Sequence, residues 1–140
     1  MSRRRSALAG AGAALVWAAV EPLDRRIFGC DYSDIAVLGK AVTRGPLWPA
    51  VGLAAHAANG ALFGLAYHEL RARIEGKPVR LGVQLALAEH VALFPLAPLV
   101  DRFHPARGEP GLARLATARG FAQATFRHAL FGAVLGRLAA

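Results

Sequence analysis

The chain has 140 residues, 55% of them apolar, and a formal net charge of +8. Counting glycine lifts the apolar share well above the roughly 45–50% of an ordinary soluble domain, which excludes a disordered basic tail, and the length excludes several domains. The one cysteine, Cys30, excludes an internal disulfide framework and any multi-cysteine zinc site.

A bilayer core about 30 Å thick is crossed by about 20 helical residues, and four segments approach that length. The first is the apolar run Ala7 to Val20, which Arg5 and Asp24 extend because end groups snorkel to the interface. Arg3, Arg4 and Arg5 before it look like a signal peptide, but no small-residue cleavage site precedes a polar start, so a retained helix is expected. The second, Leu47 to Tyr67, has no acid or base except His56, with Trp48 and Tyr67 at its ends where interfacial aromatics belong. The third, Leu81 to Val100, lies between Arg80 and Asp101 and contains Glu89 and His90. The fourth, Gly120 to Gly136, lies between Arg119 and Arg137 and carries Gln123, Arg127 and His128.

The expected fold is therefore all-α. It is a four-helix transmembrane bundle of two tandem helical hairpins, one integral membrane domain over 1–140 with helices at about 6–24, 47–68, 81–100 and 120–137. A soluble bundle would need a charged stripe on each helix, and Ala50 to Tyr67 has none. The outer loops are expected to hold short surface helices, Asp34 to Val42 capped by Ser33 or Asp31, and Gly111 to Ala118 started by Pro110. Basic residues divide equally between the two sides. They are denser in the shorter pieces that include both termini, which places the termini in the cytoplasm of a multi-pass cell-membrane protein.

Ala61-Leu62-Phe63-Gly64 recurs as Ala129-Leu130-Phe131-Gly132, 68 positions on, pairing the first helix with the third and the second with the fourth. Helix two has small or polar residues at spacing four, Gly52, His56, Gly60, Gly64 and His68. Helix four has Gly120, Ala124, His128, Gly132 and Gly136. Such GxxxG rows let backbones approach closely in lipid, so Gly52, Gly60, Gly64, Gly132 and Gly136 are expected to pack helices two and four face to face.

His56, His90 and His128 share one depth near the midplane, with Asn59, Glu89 and Arg127 beside them and Glu21 nearer the outer interface. Ionisable groups at that depth are costly, face inward and usually have partners. These seven residues form the candidate ligand-binding or polar core. The bland reading pairs Glu89 with Arg127. The functional reading makes the cluster a binding or permeation site for a small ligand or ion. The alternative is a structural or assembly subunit whose polar groups only fix helix register.

No cofactor or metal is expected, and His56, His90 and His128 are the residues that could hold a haem or metal ion. No catalytic residue is identified and no enzyme is expected, because no serine lies within a span beside a histidine. The implied partners are the lipid bilayer and its anionic headgroups. A homo-oligomer or membrane-protein partner also follows, because four helices enclose little volume. The arginines are scattered between apolar spans without interleaved aromatics, so nucleic acid is not expected.

Glu21-Pro22-Leu23-Asp24-Arg25-Arg26-Ile27-Phe28-Gly29, Tyr32-Ser33-Asp34, His56-Ala57-Ala58-Asn59-Gly60, Glu89-His90 and His128-Ala129-Leu130-Phe131-Gly132 resemble a family of small four-helix bacterial inner-membrane proteins with a domain of unknown function. The resemblance implies the fold and no chemistry.

Overall fold

A computed structural model describes residues 2–140. The helices are α1 (Arg3–Phe28), α2 (Asp34–Val42), α3 (Trp48–Arg71), α4 (Pro78–Leu93), α5 (Ala97–Phe103) and α6 (Ala118–Leu138), with a single 3₁₀ turn, Phe94–Leu96, between α4 and α5. The fold is all-helical. Among the described residues the one extended pairing is an isolated bridge between Tyr32 and Leu112.

Each boundary has a local cause. Ser2 caps α1 by accepting from the Arg5 N–H, and Gly29 ends it in the left-handed conformation, its N–H donating to the Arg25 carbonyl. Of the two caps offered for α2, Ser33 and Asp31, it is Ser33 that accepts from the Ala36 N–H. Thr117 caps α6 through the Gly120 N–H. The third apolar segment does not run unbroken from 81 to 100. Pro95 has no N–H to donate, so the helix tightens into the 3₁₀ turn before α5 resumes. The surface helix expected at Gly111 to Ala118 is not formed. Gly111 stands at φ 83, and the Asp101 carboxylate takes the Leu115 and Ala116 N–H groups, holding this stretch as a turn.

Three helical stretches, Arg3–Phe28, Trp48–Arg71 and Pro78–Phe103, are long and apolar enough to cross a membrane by length and composition; α6 does not reach that hydropathy. α1 packs on α3 and α6, α4 on α6, and α2 on α3, whereas α3 and α4 scarcely touch.

The glycine rows do bring backbones together, but not by joining helices two and four of the sequence reading. A Cβ on Gly10 of α1 would overlap the Gly60 carbonyl of α3, and one on Gly64 the Ser6 carbonyl. A Cβ on Gly82 of α4 would overlap the Gly132 carbonyl of α6, and one on Gly136 would overlap Pro78 and Val79. Gly52 meets Ile35 and Gly39 of α2 instead. α3 and α6 meet through the Phe63 and Phe131 rings, 5.2 Å apart.

These contacts repeat at 72 residues: Ser6, Gly10, Gly60 and Gly64 correspond to Pro78, Gly82, Gly132 and Gly136, and His56 falls on His128. The pairing of first with third helix and second with fourth is thus retained, one helical turn away from the offset of 68.

The start of α1, the end of α6 and the α3–α4 turn share one end of the molecule. There Ser6 Oγ lies 3.2 Å from His68 Nδ1, and Tyr67 Oη donates to the Pro78 carbonyl at 3.0 Å. The other end is covered by α2 and the 104–117 loop. His104 Nε2 donates to the Val37 carbonyl, Lys40 to the Pro110 carbonyl, and Arg44 to the Pro105 carbonyl.

Candidate functional site

Two groups of polar side chains occupy the interior, one under the covered end and one at mid-depth. The first is built around Arg127 on α6, which is 1% exposed. Its Nε and Nη2 donate to the two Asp24 oxygens at 2.7 and 2.5 Å, Nη1 donates to Asp34 Oδ2 at 2.9 Å, and Nη2 also reaches the Tyr32 carbonyl at 2.9 Å. Glu21 Oε1 lies 3.6 Å from Nη1.

Three carboxylates share one guanidinium because other donors contribute. Ser33 Oγ and the Asp34 N–H donate to Glu21 at 2.6 and 2.8 Å, placing that carboxylate at the positive N-terminus of α2. Gln123 Nε2, one turn before Arg127, donates to Asp24 and to the Cys30 carbonyl, and Trp17 Nε1 donates to Asp34 Oδ2 at 3.1 Å. The expected Glu89–Arg127 pair is not formed: α6 turns Arg127 toward α1 and the Tyr32–Asp34 segment, and Glu89 is left elsewhere.

The second group surrounds Trp17. Its indole has His56 on one side and His128 on another, with ring centroids 5.2 and 4.9 Å away, and His90 stacks on His128 at 4.8 Å. His128 Nδ1 donates to the Ala124 carbonyl at 2.7 Å. The Thr125 hydroxyl donates to the Phe121 carbonyl, so His90 Nε2 donates to Thr125 Oγ1 at 2.9 Å. Glu89 Oε2 stands 3.9 Å from His128 Nε2. His56 is buried and among the described residues its Nε2 has no hydrogen-bond partner.

Two half-open cavities of about 250 and 270 Å³ adjoin at Trp17, Tyr32, Asp34, Leu93 and His128, and together make a cleft between the helices. The first reaches His90, Gln123 and Arg127; the second reaches His56, Asn59, Glu89 and Phe131. Asn59 and Leu93 are exposed, so the cleft opens sideways where α3 and α4 scarcely touch. Burial pushes the Tyr32 phenol well above its ordinary range. Nearer the surface, the Gly111 N–H, with Arg25 adding to it, holds the Asp31 carboxyl below its usual range.

All seven polar residues named from the sequence therefore line the cleft or its ionic roof, but they form two clusters rather than one. Glu21 and Arg127 belong to the roof; His56, Asn59, Glu89, His90 and His128 belong to the cleft. The three histidines do not converge on one point, because Trp17 stands between His56 and His128 while His90 and His128 stack face on face. Among the described residues, no group of three His, Cys, Asp or Glu side chains is placed to hold a metal ion.

Sequence reasoning missed Trp17, Asp24, Tyr32, Asp34 and Gln123. The available signal was the spacing of Gln123 and Arg127, one turn apart on a single helical face, together with the acids bracketing the first loop.

Comparison with protein-family models, curated proteins and solved structures finds no match to this chain.

Proposed function

We propose that the chain is a multi-pass cell-membrane protein in which α1, α3, α4 with α5, and α6 all cross the bilayer. Both termini lie in the cytoplasm, and the cleft binds a small ligand or passes an ion. The three apolar helical stretches support the membrane setting, as do the leucines left outside, among them Leu8 at 63% and Leu62 at 65% exposure. α6 joins them because its central charge, Arg127, is turned inward and neutralised, while Arg119 and Arg137 stand near its two ends.

The observation that carries the ligand reading is the cleft itself. A subunit serving only assembly would fill its centre with side chains, as protein interiors are close-packed. Here adjoining volumes of about 250 and 270 Å³ are bordered by the unpartnered His56 Nε2 and by Glu89. The self-satisfied Arg127 cluster is the structural part, and it roofs the cleft.

The test uses single cysteines in a Cys30→Ala background, labelled in intact membranes with a charged methanethiosulfonate that reacts only with thiols in water. Asn59→Cys, at the cleft mouth, is expected to react; Leu62→Cys, on the apolar face of the same helix, is not. If neither reacts, the interior is dry and the assembly reading replaces this one.

A further inference from the structure

We propose that the cleft takes a primary ammonium carried on an apolar body, with the charged nitrogen held among Glu89, Asp34, His128 and His56. The inference rests on the ligand-binding reading and names its substrate class. Its basis is an excess of acceptors.

His128 Nδ1 donates to the Ala124 carbonyl, so the neutral ring presents the Nε2 lone pair, 3.9 Å from the Glu89 oxygen. Two acceptors facing each other need a donor between them. Asp34 gives Oδ2 to Arg127 and Trp17, and among the described residues no partner engages its Oδ1. His56, 6% exposed, lines the same cavity with an unpartnered Nε2.

The charges lean the same way. Asp24 and Asp34 share Arg127, and among the described residues no lysine or arginine engages Glu89. Lys40, the lysine nearest Asp34 in sequence, is committed to Glu109 and the Pro110 carbonyl. An ammonium group supplies three donors and one positive charge, which meets both deficits. Trp17, Phe63 and Phe131 supply aromatic walls for the apolar body and for cation–π attraction.

The test uses full-length protein in lipid vesicles with Trp48→Phe, so that Trp17 is the sole tryptophan reporter. 2-Phenylethylammonium is titrated against its neutral analogue 2-phenylethanol. The expected result is a saturable change in Trp17 emission with the cation, at an affinity about tenfold above that of the alcohol. Glu89→Gln, which keeps the side-chain volume and lies outside the Arg127 cluster, should erase that preference while gel filtration shows an unchanged fold. Equal affinity for alcohol and cation, or an unchanged preference in Glu89→Gln, would overturn the assignment, because a proton shared by Glu89 and His128 then supplies the missing donor. Failure of both compounds to perturb Trp17 would also overturn it. In either event the reactivity of Asn59→Cys still decides separately whether the cleft is wet.

Discussion

Arg127→Leu removes four hydrogen bonds and strands Asp24, which is 0% exposed and has only Gln123 left as a donor. Breaking a buried ion pair from one side costs about 3–5 kcal/mol, because the surviving charge stays desolvated. The structure also says where that cost can be recovered. Changing Asp24 to Asn together with Arg127 to Leu removes the stranded charge, so the double variant should be more stable than Arg127→Leu alone by about 2 kcal/mol. Combining Arg127→Leu with Glu89→Leu should recover nothing, because Glu89 touches no atom of the cluster. Thermal unfolding in detergent of the wild type, the three single variants and the two doubles gives both coupling energies. A coupling of Arg127 to Glu89 that equals or exceeds its coupling to Asp24 would refute the assigned cluster.

Two further outcomes follow from the packing and from the covered end. Gly10→Ala and Gly82→Ala each drive a methyl group into a facing backbone and should cost about 1–3 kcal/mol in the same assay, whereas Gly12→Ala meets only the end of the Leu138 side chain and should cost less than about 0.5 kcal/mol; equal effects at the three sites would contradict the close approach. The Asp31 carboxyl, lowered by the Gly111 N–H, and that of Glu109, lowered chiefly by its hydrogen bond to Lys40, contribute stability that is complete above the ordinary carboxylate pKa of about 4 and is lost as pH falls through the lowered values. Pepsin cleavage within the 104–117 loop should therefore rise as pH falls below about 4, with Asp31→Asn already cleaved readily at the upper end of that range; a rate that tracks pepsin's own pH profile in both proteins would refute this.

The helices were legible because apolar length and capping residues act locally: the bounds of α2, Asp34–Val42, follow from its apolar run, with Ser33 taking the cap that Asp31 could also have supplied. Depth along a helix was legible too, since His56 and His128 flank Trp17 and His90 stacks on His128. Azimuth was not. Arg127 and Glu89 share a depth, yet a rise per residue says nothing about which neighbour a side chain faces, and α6 turns Arg127 toward α1. The GxxxG rows announced close approach without naming the partner. That information lay in the single glycines Gly10 and Gly82 on the facing helices, and it shifts the repeat from 68 to 72. The acids Asp24 and Asp34 were passed over because they flank the spans. Folding of the Tyr32–Asp34 segment back over α6 is a long-range event that no local pattern encodes.

The central claim is that α6 crosses the bilayer with its arginine neutralised inside. Reporter enzymes inserted at Gly76, at Gly108 and after Ala140 test it most directly. The expected result is that the Gly76 and Ala140 reporters lie on the cytoplasmic side and the Gly108 reporter on the opposite side. A reporter after Ala140 on the same side as that at Gly108 would mean that α6 does not cross, and would contradict the account.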